Sequence, residues 1–452
     1  MLDKIYFSGI NGIGMSGIAK ILKQQGYDVQ GSDLEYKDVT KSLEELGIKV
    51  HIGQSVENIE NFKPDLYVYS TAIRTTNPEY IYADSTNTKM KRRGEMLADI
   101  VNEFDKSIAI AGTHGKTTTS SMCSISFLSK DPYIVVGGII PEIQSNSRIG
   151  NSDYFIIEAD ESDNSFLYLY PTYSVITNIE ADHLEHHGSF ENIKKSFIQF
   201  ISQTKEKVIL SKDCPNISSL DLDEYKDKLV YYSANEKADI YAKDIKNLDG
   251  ITKYTVVIND EEIGEFSLKV PGMHNIQNSL PVIYLAYIQN IDMEKVKESL
   301  SNFTGANRRY QVIYDEEIKI IDDYAHHPTE IRATINAAKS NEKGKITVVF
   351  EPHRYTRTKF FMDEFAKALS LADRVILLPI YAASEDNESG ISSQDLYDKI
   401  KKFDKQKETY VMLPKEVMDY IYFNFEPNEV YIFMGAGTVS KFAYKLVNQI
   451  KG

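Results

Sequence analysis

The 452-residue chain contains no tryptophan, only two cysteines, and no apolar run near the ~20 residues that a bilayer-spanning helix needs. Cys123 and Cys214 show no metal-ligand spacing, which excludes a cysteine-rich zinc module, and two thiols make a poor disulfide framework. Basic residues are in deficit as well: 51 Lys and Arg stand against 66 Asp and Glu, a formal charge of −15. That average field repels a nucleic-acid backbone, so no nucleic-acid partner is expected. The opening "MLDKIYFSGI" lacks the cationic flank, apolar stretch and small-residue cleavage site of a signal peptide. No membrane association and a cytoplasmic location are therefore expected. What is present is ordinary for a globular protein, with 42% apolar and 26% charged residues. The length suffices for about two to four domains.

Short β-type runs alternate with amphipathic helical runs, the pattern of parallel sheets flanked by helices. Three successive α/β segments are expected. The first, residues 1–104, opens with "KIYFSG" (4–9), a glycine-rich turn and a helical run, and continues through "KVHI" (49–52) and "DLYVYS" (65–70). The second, residues 105–307, restarts at "KSIAIAGTHGKTTT" and runs through "YFIIEADESD" and "YSVITNIEADH". Within it, "ADIYAKDI", "TKYTVVIN" and "GEFSLKV" read as added antiparallel strands joined by acidic turns. The third, residues 308–452, holds "IKIIDDYA", "KITVVFE", "RVILLPIY", "ETYVML" and "EVYIFMGAG", each followed by a helical pattern, a second nucleotide-type fold.

"AGTHGKTTT" (111–119) lies between a β run and a helical run, the context of a phosphate loop, but Ile110 stands where the Walker pattern has its first glycine. Backbone N–H groups at a helix N-terminus attract phosphate oxygens, and Gly112 and Gly115 let the backbone approach closely. Lys116 would reach the β- and γ-phosphates and the Thr117 hydroxyl would ligate Mg²⁺. ATP or GTP satisfies this loop equally; a helix-initiating turn with a solvated lysine is the bland alternative. Two later β runs end in charge, giving Glu158, Asp160, Glu161 and Asp163, then Glu180, Asp182 and His183. Carboxylates at the carboxyl ends of parallel strands line the ligand crevice, where a metal–nucleotide complex needs oxygen ligands beyond the loop hydroxyl.

"GINGIGMSG" contributes Gly12, Gly14 and Gly17 in G-x-G-x-x-G spacing, with Asp33 at about the 20-residue distance at which an acid meets a ribose hydroxyl. A pyrophosphate fits here, and a dinucleotide and a UDP-sugar both qualify. An NAD-dependent oxidoreductase would use this turn yet leave the phosphate loop unexplained; a nucleotide-binding regulator without turnover is the non-enzymatic alternative.

This order of motifs resembles the Mur ligase family across the whole chain, and the variant loop Gly112–Thr117 is the family's own form. "RRGEML" (92–97), "EADESD" (158–163), "TNIEADHLE" (177–185), "PGMHNIQNS" (271–279), "GANRRY" (305–310), "DDYAHHPTE" (322–330), "EPHRYTRT" (351–358) and "MGAG" (434–437) carry the likeness further. The resemblance implies an N-terminal Rossmann-like domain for a UDP-substrate, a central ATP-binding P-loop domain and a C-terminal Rossmann-like domain presenting an amino acid. It implies an ATP-dependent carboxylate–amine ligase with ATP and two Mg²⁺ ions, acting on UDP-N-acetylmuramate and L-alanine, or in a sibling branch on a preformed peptide.

By the same resemblance, Gly112, Thr113, His114, Gly115, Lys116, Thr117 and Thr118 form the ATP loop, with Asn275 and Asn278 near adenine, Arg309 reaching the phosphates and Asp323 on the ribose. Thr117 and Glu158 ligate one metal and His183 a second. Tyr324, His326, Arg354 and Arg357 line the muramate carboxylate and incoming amino acid; Gly12, Gly14, Gly17, Asp33, Ser70 and Thr71 hold the UDP part. Phe197 stands where sibling ligases carry a lysine that takes up CO₂. Two segments depart from the family pattern: Thr438 stands where the family often has Asp, and "PIYAASEDNESG" (379–390) differs from the commoner Y-P-A-G-E form.

Overall fold

The computed structural model describes residues 3–70, 72–248, 250–383 and 385–452. Its strands form three sheets, each built for a parallel core. The N-terminal sheet comprises β1 (Lys4–Ser8), β2 (Asp28–Asp33), β3 (Lys49–Ile52), β4 (Leu66–Tyr69) and β5 (Lys89–Arg92), in the order β3-β2-β1-β4-β5. All four of its pairings are parallel. Strand β1 alternates between two cores, Ile5 and Phe7 packing on one face and Tyr6 with Tyr67 and Phe62 on the other, as the two-residue period of a strand requires. Strands β2 and β5 escape a hydrophobicity reading because "DVQGSD" and "KMKR" are polar.

The central sheet contains β6 (Lys106–Ala111), β7 (Tyr133–Ile140), β8 (Ser145–Arg148), β9 (Tyr154–Glu158), β10 (Tyr173–Ile176), β11 (Lys207–Ser211), β12 (Leu229–Ser233), β13 (Ile240–Leu248), β14 (Ile251–Ile258) and β15 (Glu261–Leu268). Their order is β15-β14-β13-β12-β11-β10-β6-β9-β7-β8. Parallel pairing holds from β13 through β7, and β8 closes the edge antiparallel to β7. The three added strands expected from sequence are β13, β14 and β15. Connections of two residues between them admit only antiparallel pairing. Strand β6 lies between β10 and β9, so the loop leaving it is flanked on both sides by strand ends.

The C-terminal sheet has β16 (Gln311–Asp315), β17 (Lys319–Asp323), β18 (Ile346–Phe350), β19 (Arg374–Leu377), β20 (Glu408–Val411) and β21 (Val430–Met434), ordered β16-β17-β21-β18-β19-β20. The five expected strand–helix units are β17 to β21, mutually parallel; β16, unanticipated, is an antiparallel edge strand. Val348, Phe350, Ile432 and Met434 enter one core, while Val349, Tyr431 and Phe433 enter another, so both faces are covered.

Contacts divide the chain into two compact units: Met1–Ala242 with Val256–Ile263 and Asn278–Ser299, and Lys243–Thr255 with Gly264–Gln277 and Leu300–Gly452. In the first, one apolar cluster runs from Ile5, Phe7 and Met15 through Phe155 and Ile157 to Phe197 and Phe200.

Candidate active site

The phosphate loop leaves the C-terminal end of β6, and the helix Lys116–Ser126 begins at its end. Gly115 caps this helix at φ 82 and Gly112 sits at φ 131, conformations that a side chain disfavours. A Cβ on Gly112 would lie 2.1 Å from Thr177 Oγ1, and one on Gly115 would lie 2.6 Å from Asn278 Oδ1. The end of β10 braces the loop. Asn178 Oδ1 accepts from the His114 N–H at 2.9 Å, the Thr177 hydroxyl donates to the His114 carbonyl at 2.5 Å, and Thr113 Oγ1 accepts from the Glu180 N–H at 2.8 Å. His114 is buried, its Nε2 at 3.5 Å from Glu180 Oε2. Thr118 is buried in the helix.

Lys116 Nζ donates to the Gly112 carbonyl at 2.5 Å, the Thr113 carbonyl at 3.1 Å and Glu161 Oε1 at 2.8 Å. Burial alone would lower its pKa, but Glu161, Asp160 and Glu158 around it hold it above the usual lysine value. Asp160, only partly buried, is held below the usual carboxylate range by Lys116, Ser162 and Arg93 against its partial desolvation. The Thr117 hydroxyl donates to Glu158 Oε1 at 3.0 Å, and Glu158 Oε2 accepts from the Gly137 N–H at 2.7 Å. A Cβ on Gly137 would fall 2.6 Å from Glu158 Oε1, so that glycine leaves the carboxylate its room. Glu161 Oε2 is buried with no hydrogen-bond partner among the described residues. The Thr117 hydroxyl and the Glu158 carboxylate, in contact with each other, are hard oxygen donors of the kind that Mg²⁺ takes. His183, at φ 53, caps the short helix Leu184–His187 with Nε2 at 3.6 Å from Asp182 Oδ2. His187, which the motif reading passed over, reaches the Glu161 carbonyl with Nε2 at 2.9 Å and fixes that loop.

At the first glycine turn the side-chain-free positions have unlike causes. A Cβ on Gly14 would meet Arg93 Nη1 at 3.0 Å, and one on Gly17 would meet Ser147 Cβ at 3.1 Å; Gly17 thus serves helix-to-sheet packing. Gly12 has φ −61, which any residue adopts. Asp33, expected from its spacing to meet a ribose, has both oxygens on backbone: Oδ2 accepts from Asn11 N–H at 2.9 Å and Oδ1 from Leu34 N–H at 2.8 Å. Ser70 does lie beside the turn, 3.1 Å from a Cβ built on Gly9. Thr71 lies outside the described residues.

The second unit gathers another set. Asp323, at the end of β17, accepts from the N–H groups of Tyr310 at 3.0 Å and Ala325 at 2.7 Å; burial, against the pull of Arg309, pushes its carboxyl up to about 6. Arg309 pairs with Glu330 at 3.2 Å and lies 5.2 Å from the Tyr324 ring centre. The His326 N–H donates to Glu330 Oε2 at 3.0 Å, and its ring meets the rings of Tyr324 at 5.2 Å and His353 at 6.2 Å. Burial, with His326, Arg357 and Arg354 beside it, pushes His353 down to about 3, so its Nδ1 is free to accept from Arg357 Nη1 at 3.4 Å. Burial and Arg309 push His274 down to about 4. Asn275 donates to the Pro271 carbonyl at 2.7 Å. Three guanidiniums and neutral imidazoles in one cluster suit a carboxylate ligand.

Both departing segments converge here. The Tyr381 ring stacks on His353 at 5.5 Å, Glu385 accepts from the Thr356 hydroxyl at 2.7 Å and lies 3.9 Å from Arg354, and Thr438 donates to Glu351 at 2.7 Å. The sequence reading named Asp160 only among a row of carboxylates and did not pair it with Arg93, and it missed Glu330, His353 and Glu385 as partners of the arginines. Glu330 lies in "DDYAHHPTE", His353 in "EPHRYTRT" and Glu385 in "PIYAASEDNESG", segments that the sequence singles out without showing which arginine each residue meets.

Comparison with known proteins covers all three segments. Residues 4–105 match the family description "Mur ligase family, catalytic domain", residues 110–286 "Mur ligase middle domain" and residues 308–437 "Mur ligase, glutamate ligase domain". The UDP-N-acetylmuramate–L-alanine ligase of Fusobacterium nucleatum is 49% identical over 100% of this chain and 98% of its own. That of Desulforamulus reducens is 39% identical over 99% and 98%. Among solved structures, the UDP-N-acetylmuramate-alanine ligase MurC of Thermotoga maritima shares 31% identity at a TM-score of 0.82, covering 99% of each chain. A murein peptide ligase of Psychrobacter arcticus, 23% identical with a TM-score of 0.71 over 99% of this chain and 98% of its own, shares the fold.

Proposed function

Because the chain belongs to the Mur ligase family, we propose that it joins L-alanine to the lactyl carboxylate of UDP-N-acetylmuramate at the expense of ATP, in the synthesis of peptidoglycan precursors. The observation that carries the chemistry is the placement of Lys116, folded onto the loop carbonyl of Gly112, and of the Thr117–Glu158 pair at a helix N-terminus whose Gly115 cap makes no side-chain hydrogen bond. In this reading the lactyl carboxylate attacks the γ-phosphorus, ADP leaves, and the acyl phosphate so formed is attacked by the alanine amine, expelling phosphate. Phosphorylation turns a poor acyl leaving group into a good one.

Lys116 supplies positive charge where it accumulates on the transferring phosphoryl group, and Arg309 of the second unit is assigned the same task. Thr117 and Glu158 would hold one Mg²⁺ and His183 would help hold a second. Bound there, the metal neutralises charge on the phosphate oxygens. Gly12, Gly14, Asp33 and Ser70 are assigned to the UDP part, with Asp33 shaping the turn. Asn275, Asn278 and Asp323 are assigned to adenosine. Tyr324, His326, Arg354 and Arg357 are assigned to the muramate carboxylate and the amino acid. Domain limits after residues 104 and 307, one sheet to each domain, and a cytoplasmic location complete the reading; among the described residues no helix is long and apolar enough to cross a membrane.

Phosphate release measured with ATP, UDP-N-acetylmuramate and each amino acid or peptide in turn tests this. Turnover with L-alanine is expected. Turnover only with a preformed peptide would move the chain to the peptide-joining branch, and NADH binding without ATP turnover would overturn the ligase assignment.

A further inference from the structure

Arg93 has no place in the chemistry above, yet it touches both halves of the first unit's site. It opens the helix Arg93–Asn102, and its side chain lies so close to the first glycine turn that a Cβ on Gly14 would stand 3.0 Å from Nη1 and 3.2 Å from Cδ. The other guanidinium nitrogen, Nη2, reaches Asp160 Oδ2 at 3.5 Å. Asp160 precedes Glu161, which holds Lys116 at 2.8 Å. The contact is built in from both sides. A Cβ on the next residue, Gly94, would fall 2.4 Å from Ser165 Cβ, so the helix start is pressed onto the loop after β9. Ser165 donates to the Asp160 carbonyl at 3.2 Å and Ser162 to Asp160 Oδ1 at 2.7 Å, so that loop is internally fastened.

We propose that Arg93 is a positioning residue that couples the glycine-turn site to the phosphoryl-transfer site. This rests on the reading that an anionic UDP-substrate occupies the turn. A guanidinium carries several donors in a rigid fork, so one plane can face a substrate oxygen at Gly14 while its second nitrogen keeps Asp160. Substrate held at the turn then fixes Asp160 and the Glu161–Lys116 pair beyond it, so the loop lysine is set when the acceptor is present. A lysine at this position keeps the charge and loses the fork.

The test compares wild type with Arg93→Met, Arg93→Lys and Asp160→Asn, alone and with Arg93→Met and Asp160→Asn combined. Removing a charged hydrogen-bonding group of this kind is expected to raise KM for UDP-N-acetylmuramate roughly ten-fold or more, with KM for ATP within about two-fold and Arg93→Lys intermediate. The combined variant should fall short of the product of the two single effects on kcat, because the second change removes a link already cut. ATP affinity measured by calorimetry serves as the folding control. Unchanged KM for the UDP-substrate in Arg93→Met, or single effects on kcat that multiply, overturns the coupling. A wild type that fails to turn over UDP-N-acetylmuramate with L-alanine overturns the functional reading instead, so the two failures are distinguishable.

Discussion

The chain carries two glycine turns, each leaving the end of an inner strand of a parallel sheet and each opening a helix, and they use glycine for different reasons. At the phosphate loop, Gly112 and Gly115 have φ of 131 and 82 and stand against Thr177 and Asn278. At the first turn, Gly12 has φ −61, while Gly14 and Gly17 make room for Arg93 and Ser147. At its G-x-G-x-x-G positions the first turn needs glycine for what packs on it, its left-handed glycine being Gly9 just before them at φ 80, whereas the phosphate loop needs both of its glycines for their backbone. Equal spacing in a sequence therefore does not mean equal physical demand.

The largest effect should come from removing the charge at the phosphate loop. Lys116→Ala is expected to lower phosphate release about a thousand-fold or more, while calorimetric titration with UDP-N-acetylmuramate stays near wild type. Loss of both would show that the two turns form one site. Next, alanine exchanged for glycine separates the turns directly. Gly115→Ala meets both a positive φ and Asn278, so a loss of ATP turnover and a stability cost of about 1–2 kcal/mol or more is expected in denaturant titrations. Gly12→Ala meets neither, since its Cβ would stand 3.3 Å from the nearest neighbour, the Gly9 carbonyl oxygen, and should cost less than about 1 kcal/mol. Equal costs would erase the distinction.

Glu158→Gln keeps the shape of the carboxylate beside Thr117 and deletes its charge. The Mg²⁺ concentration for half-maximal activity should rise roughly ten-fold or more; an unchanged titration would move the ligand to Asp160 or Glu161. The smallest effect is expected on the helix Phe190–Gln203. Phe197 is fully buried against Phe166, Lys194 pairs with exposed Glu191, and Lys195 faces solvent. Alanine at Lys194 or Lys195 should leave most of the activity, and turnover should not depend on bicarbonate. A dead variant rescued by a short-chain carboxylate would place a carbamate here after all.

Much of the scaffold was legible because its inner strands are continuous apolar runs: "KSIAIA", "YFIIE" and "KITVVF" became β6, β9 and β18. The edge strands β5 and β8 were not, because "KMKR" and "SNSR" carry no hydrophobic period and pair only where a neighbour offers its backbone. The phosphate loop could be read for the same local reason: glycines, a lysine and a threonine between a strand and a helix are contiguous, and a helix N-terminus needs nothing from afar to attract an anion.

The chain alone thus determined three α/β segments, a phosphate loop and the residue types that can serve it. Only the tertiary structure decided which carboxylate meets Thr117, that Glu161 holds Lys116, that Asp33 spends both oxygens on backbone N–H groups, and that Arg93 joins Gly14 to Asp160. Backbone preference and hydrophobic period act over a few residues and are written in sequence order. Ion pairs and close packing act through space, between residues that the strand order of a sheet brings side by side.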